Sequence, residues 1–204
     1  MITCGPTWIP IDGVRVISNK STGALGQIMA LELAKQGAKV TLLEGPVTAP
    51  VKSPGIQVQK FHYYDELYKL IKKELNNKYD VMIHAAAVSD YKLKKPFSQK
   101  LTSRLSRLTL ELVPTKKIIQ FIKKINPKIF LVGFKLEPKI NPATVKSFAG
   151  RLIQEASCDL VVVNNTTGNS YHGYIVDRGK NILAHELSRR GISRALLKTL
   201  KDKL

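Results

Sequence analysis

The chain predicts an α/β fold: a Rossmann-like, doubly wound, mostly parallel sheet with helices on both faces and a small C-terminal β-hairpin. Three observations carry that reading. Short apolar runs alternate with amphipathic stretches of helical period from one end to the other. The first run, Ile2-Thr3-Cys4, passes through Gly5-Pro6-Thr7 and a polar loop at 8–19 into the helix start Asn19-Lys20-Ser21-Thr22-Gly23-Ala24-Leu25-Gly26. Repeats and low-complexity linkers are missing from its 204 residues, a length that suits a single domain over 1–204.

Each element follows from its local pattern. The helix at 22–36 carries Leu25, Ile28, Met29, Leu31, Leu33 and Ala34 on its apolar side and ends at Gly37. Residues 39–43 predict a second strand, 56–58 a short third, and 65–76 an amphipathic helix. A strand at 79–84 runs into Ala85-Ala86-Ala87. The alternation breaks at 89–107, a polar, basic stretch with Pro96 that reads as a flexible, functional loop. An exposed-edge strand at 108–113, a helix at 116–124, a buried strand at 129–134, a helix at 142–156 and a core strand at 159–163 follow. A hairpin of 171–177 and 181–184 turns at Arg178-Gly179-Lys180, and a helix over 186–204 closes the chain. Ligands of such sheets bind at the carboxyl ends of the strands, here after 2–4, 79–84 and 129–134.

Composition narrows the function. An apolar fraction of 44% is that of a soluble globular protein, and no apolar run approaches the roughly 20 residues a membrane span needs. A cytoplasmic location is expected, without a membrane partner. Cys4 and Cys158 lie far apart at strand edges with no CxxC spacing and read as buried apolar residues. The formal charge of +18 would suit nucleic acid, but the lysines scatter along helices as Lys72-Lys73, Lys116-Lys117 and Lys123-Lys124. That spacing makes solvated helix faces and argues against nucleic acid as a partner. It also steers small polyanions toward a cleft.

The chemistry points to the strand ends. First-turn amides of a helix lack partners within it, and its dipole favours an anion there. Gly23 and Gly26 let a phosphate or a neighbouring strand approach, so Ser21, Thr22, Gly23 and Gly26 are candidate nucleotide contacts. Asn19 is either an amide donor to a substrate carbonyl or the cap of the first helix. Arg15 is either a bidentate clamp on phosphate or carboxylate or a loop cation. Asp90 accepts from ribose hydroxyls or caps its own loop. Lys100 is one lysine among many, but its loop faces the cleft, where an ammonium can close over a phosphate. Phe134 stacks a base or ends a core strand. His84 reads as strand-end packing and His185 as the lead into the last helix. No His or Cys pairing has metal-ligand spacing and no nucleophile elbow is present, which excludes a zinc enzyme and a serine hydrolase.

These residues, as they stand, resemble a known family. Ile2-Thr3-Cys4-Gly5-Pro6-Thr7, Pro10-Ile11-Asp12, Val14-Arg15-Val16-Ile17-Ser18-Asn19, Ser21-Thr22-Gly23 with Gly26, and Ala85-Ala86-Ala87-Val88-Ser89-Asp90-Tyr91 match in order. So do Lys100-Leu101-Thr102-Ser103, Gly133-Phe134-Lys135-Leu136-Glu137 and Asp159-Leu160-Val161-Val162-Val163-Asn164. The chain is similar throughout to the phosphopantothenate–cysteine ligases of coenzyme A biosynthesis, in their stand-alone form. The resemblance implies that CTP, or alternatively ATP, activates the carboxylate of 4′-phosphopantothenate to an acyl-nucleotide, which the amine of cysteine then displaces. It implies catalytic roles for Asn19, Lys100 and Arg15, and nucleotide contacts from Ala86, Asp90 and Phe134 besides 21–26. It further implies Mg²⁺, a homodimer, and a flavin-dependent decarboxylase acting next from a separate polypeptide.

The sequence departs from the family in places. Where bacterial members of the family place basic residues late in the helix before the 159–163 strand, Leu152 and Ala156 stand with Arg151 nearby, and Lys135 is the expected substitute. Val163-Asn164-Asn165-Thr166 stands where an acidic residue is usual. The rival from another class is a nicotinamide-dependent reductase, whose ribose would need a carboxylate at the second strand's end, near Glu44.

Overall fold

The computed structural model describes residues 1–204 apart from Ser103, Leu105, Gly168 and Asn169, with Thr167 described in its backbone alone. In chain order the elements are β1 (Ile2–Cys4), β2 (Trp8–Pro10), β3 (Val16–Ser18), α1 (Ala24–Lys35), β4 (Val40–Glu44), β5 (Ile56–Lys60), α2 (Tyr64–Glu74) and β6 (Val81–His84). Then come β7 (Tyr91–Leu93), β8 (Leu112–Pro114), α3 (Ile119–Ile125), β9 (Phe130–Leu136), α4 (Pro142–Ala156), β10 (Leu160–Thr167), β11 (Ser170–Asp177), β12 (Ile182–Glu186) and α5 (Arg189–Lys201).

The main sheet has the order β12-β11-β10-β9-β6-β1-β4-β5. Every neighbouring pair from β5 to β10 is parallel; β11 and β12 append to β10 antiparallel. The chain builds outward from β1 through β4 and β5, then returns to the other side of β1 for β6, β9 and β10. That reversal leaves a crevice between the carboxyl ends of β1 and β6.

Both faces of the central parallel strands are buried over most of their length, so their residues are mainly apolar and alternate between two cores. Leu43, Met82, Leu131 and Val161 face α2, α3 and α4 with Leu67, Ile71, Ile122 and Val145. Their neighbours Leu42, Ile83, Val132 and Val162 face α1 and α5 with Met29, Ala30, Ile192 and Leu196. Each such side chain contributes about 1.5–3 kcal/mol by leaving water. The doubly wound fold expected from the sequence is the one formed.

Local differences have physical causes. The polar loop at 8–19 contains a hairpin, β2 paired with β3 through Ile9 and Ile17. The 89–107 stretch is not wholly irregular, because Tyr91–Leu93 pairs antiparallel with Leu112–Pro114. The expected edge strand at 108–113 is reduced to those three residues and stands outside the main sheet. β9 runs two residues beyond Phe134, and β10 runs on past Val163 as far as Thr167. In β10 the polar residues 164–167 are held by antiparallel pairing with β11, which apolar periodicity does not register. His185 sits in β12, opposite Tyr174, rather than leading into α5.

Candidate active-site cleft

The crevice opens into a cleft of about 700 Å³ lined by residues 19–26, 84–90, 115–120 and 134–136, with further side chains from α4, β10, β11 and α5. Its first wall is an extension of β1 and β6 past their ends. The Ala85 amide donates to the Thr3 carbonyl at 3.1 Å and the Ala87 amide to the Gly5 carbonyl at 2.9 Å. Thr7 Oγ1 accepts from the Ser89 amide at 2.9 Å, and Thr115 Oγ1 donates to the Ser89 carbonyl at 2.7 Å. Residues 85–90 are thereby fixed between two threonines before any ligand arrives. Below them Thr3 Oγ1 and His84 Nδ1 lie 2.9 Å apart, and burial pulls the His84 pKa down to about 4. His84 is a neutral strand-end residue at ordinary pH.

α1 supplies the second wall. Its N-cap, Gly23, has φ 73, no side chain caps the helix, and no acidic residue stands in its first turn. A Cβ on Gly23 would lie 2.7 Å from Val47 Cγ1. Gly26 serves packing: a Cβ there would lie 2.5 Å from the Cβ of Cys4, so its hydrogen lets α1 rest directly on β1. Ser21, Thr22, Gly23 and Gly26 all border the cleft beside Lys20. The helix start is therefore free to receive an anion.

Asn19 does not cap α1. Its Nδ2 donates to the carbonyls of Ala87 and Val88 at 3.2 and 3.4 Å, tying the loop before α1 to the one after β6. Asp90 lies on the same cleft, its carboxylate 2.5 Å from Lys117 Nζ and mostly exposed. Asn19 and Asp90 thus share one pocket. Ala86 lines it, Phe134 is half-buried within it, and Lys135 stands at its border while pairing with Glu137 at 3.0 Å.

Arg15 and Lys100 are elsewhere. Neither lines this cleft. The Arg15 guanidinium donates to Asp12 Oδ2 at 2.9 Å and to the Leu101 carbonyl at 3.1 Å. Asp12 is buried and also accepts from the amides of Leu101, Val14 and Arg15 at 3.0, 2.8 and 2.8 Å. The Leu101 amide, then those of Val14 and Arg15, hold the Asp12 carboxyl down at about 2. With the Phe97 amide on the Ile11 carbonyl at 2.9 Å, these bonds fasten the loop carrying Lys100 to the β2–β3 hairpin. Lys100 itself is exposed. Ser103, part of the matched Lys100–Ser103 block, lies outside the described residues.

Sequence reasoning passed over the Asp12 latch, the Thr7 and Thr115 brackets and Arg189, and it read Lys116 and Lys117, which border the cleft, as a solvated helix face. Only Asp12 carried a signal, as an acid directly before Gly13 and three residues ahead of Arg15. The acids of the lining are Asp90 and Glu155, and among the described residues no three His, Cys, Asp or Glu side chains gather around a metal position. The lysines and arginines of the lining suit a polyanion. The reductase reading fares differently. Glu44 is fully buried and takes bonds from Gln27 Nε2 at 2.7 Å, the Val51 amide at 3.1 Å and Lys60, which leaves no carboxylate at the end of β4 for a ribose.

Fold and cleft together define a doubly wound α/β protein with a cleft at the reversal of strand order. Residues 1–202 match the model of the DNA/pantothenate metabolism flavoprotein C-terminal domain, and the chain belongs to that family. It is 39% identical over 166 residues, 80% of the chain and 40% of the relative, to the coenzyme A biosynthesis bifunctional protein CoaBC of Thermococcus kodakarensis. Against the protein of that name from Borreliella burgdorferi the identity is 31% over 209 residues, covering 98% of the chain and 51% of the relative. The chain spans about half the length of the curated relatives it matches. Among solved structures, the DNA/pantothenate metabolism flavoprotein from Streptococcus pneumoniae superposes with a TM-score of 0.89 at 25% identity, over 100% of this chain and 98% of that one. No helix among the described residues is long and apolar enough to cross a membrane.

Proposed function

We propose that the chain is a phosphopantothenate–cysteine ligase acting in coenzyme A biosynthesis. The observation that supports it most is the meeting of Asn19, Ala86, Asp90 and Phe134 around one preformed cleft at the N-terminus of α1. The cleft's lysines and arginines suit a substrate pair rich in phosphate. In this reading CTP binds with its phosphates on residues 21–26 and its ribose toward Asp90, with ATP as the alternative nucleotide. Mg²⁺ enters on the triphosphate, where it supplies charge neutralisation.

Asn19 hands its amide from the Ala87 and Val88 carbonyls to the acyl group of the activated 4′-phosphopantothenate. An acyl-nucleotide hydrolyses readily, so water has to be kept from it while the amine of cysteine attacks. The loop latched by Asp12 is the part that can cover the cleft, and it brings Lys100 to charge developing on the leaving nucleotide. Exposed apolar side chains gather on the two small sheets and the loop between them, at Val14, Val16, Tyr91, Phe97, Leu108 and Leu112. A homodimer would cover such a surface. The flavin-dependent decarboxylation that follows falls to a segment other than 1–204, and the cytoplasm is the compartment in which both would work.

Isotope-labelled cysteine incubated with 4′-phosphopantothenate and either CTP or ATP tests the reading. Pyrophosphate and a labelled amide are expected with at least one nucleotide. Neither product with either nucleotide rejects it. Titration of CTP against ATP by calorimetry then assigns the nucleotide.

A further inference from the structure

The cleft has a cation whose position the ligase reading does not use. On the α4 wall Leu152 and Glu155 border the cleft together with Arg151, whose guanidinium carbon lies 5.2 Å from the centre of the Phe148 ring. Lys135, the expected substitute, is engaged with Glu137 at 3.0 Å. Arg189 is differently placed. It is the first residue of α5, and its guanidinium carbon lies 5.5 Å from the centre of the Tyr171 ring. Tyr171 is 6% exposed and, like Arg189, borders the cleft. The ring fixes the cation without neutralising it. Among the described residues the Arg189 guanidinium has no ion-pair partner.

Its surroundings are those of a phosphate site. α1 and α5 lie side by side on one face of the sheet, and Lys201 Nζ bonds Gln36 Oε1 at 2.7 Å where both helices end. Their N-terminal ends therefore open on the same side, and Ala24, Leu25 and Arg189 all border the cleft. Neither helix has an acid in its first turn. The positive start of α1, Lys20 and an unneutralised guanidinium converge on one pole, while α5 is capped by Ser188 with the Glu186 carboxylate against Gly191, and Asp90 and Glu155 stand on other elements.

We propose that Arg189, seated on Tyr171 at the border of the cleft onto which α1 opens, receives the terminal phosphates of the nucleotide. This rests on the nucleotide reading above. The test measures binding of CTP, ATP, CMP and inorganic pyrophosphate to the full chain by calorimetry, with Arg189→Gln, Arg189→Met, Arg189→Lys and, as a control, the exposed neighbour Arg190→Gln. Arg189→Gln and Arg189→Met are expected to weaken CTP and pyrophosphate about tenfold to a hundredfold, with CMP changed less than about twofold. Arg189→Lys recovers part of the loss and Arg190→Gln shows none. An Arg189→Gln protein that loses CMP as much as CTP, or binds CTP and pyrophosphate as the parent does, overturns the assignment of Arg189 alone. A parent protein that binds no nucleotide and no pyrophosphate overturns the nucleotide reading and this one with it.

Discussion

Residues 84–90 and the loop that carries Lys100 belong to one proposed site but are held by different kinds of contact. The first continue the main sheet: backbone amides of Ala85 and Ala87 bond to carbonyls of the β1 side, and His84 and Thr3 satisfy each other beneath them. The second is tied to a small hairpin outside that sheet by the Asp12 carboxylate, the Arg15 guanidinium and one backbone bond from Phe97 to Ile11. Rigid strand ends place groups accurately, and a loop held by a few side-chain bonds can release and re-form. A ligase that must admit two substrates and then exclude water needs one region of each kind.

Substitutions can separate the two regions, and the largest effect is expected in the latched one. Lys100→Gln should leave pyrophosphate release partly intact while amide formation falls about a thousandfold, roughly 4 kcal/mol in the barrier. Rapid-quench measurement of both products checks this, and equal loss of both steps would contradict the assigned role. In the rigid region, acid is the probe. The folded His84 pKa of about 4 lies below the usual 6.5, so its contribution is complete above pH 6.5 and is lost as pH falls toward 4. The loss is about 3 kcal/mol, and His84→Gln should flatten that part of a stability profile measured by urea unfolding.

Gly26→Ala probes the same floor without charge. Its Cβ would meet Cys4 at 2.5 Å, a collision expected to cost about 1–3 kcal/mol and to lower Tm by several degrees. Asp12→Asn returns to the latch: the melting temperature should hold within a few degrees, while pyrophosphate released per amide formed rises about threefold as water reaches the intermediate. The depressed Asp12 pKa has its own sign. Its ionised form keeps the latch closed above the ordinary value of 3.8, and the latch loosens as pH falls through about 2. Least affected should be Lys117→Met, since the Asp90 pair is about half exposed on both sides and such pairs contribute under about 1 kcal/mol.

The same division explains what could be read from sequence. Strands β1, β4, β6 and β9 are buried on both faces and announce themselves as apolar runs, and the motifs that end them place Asn19 and Asp90 on one rim. Arg15 reads as a clamp on substrate because nothing local reveals that Leu101, 86 residues away, is its partner. The β2–β3 and β7–β8 pairs are three residues long on each side and exist through contacts that periodicity over so short a span does not encode. Arg189 is invisible for a related reason. It lies among the basic residues of an amphipathic helix, and only the parallel placement of α5 beside α1 turns it toward the cleft.

Burial raises the thiol pKa of both Cys4 and Cys158 to about 12, and neither side chain reaches solvent. On the proposed ligase reading, in which free cysteine meets an activated acyl group, neither Cys4 nor Cys158 could capture the acyl chain or trade disulfides with the substrate. Alkylating reagents should find nothing to label until the chain unfolds, and the selectivity for an incoming amine is protected by keeping the competing home-grown thiols silent.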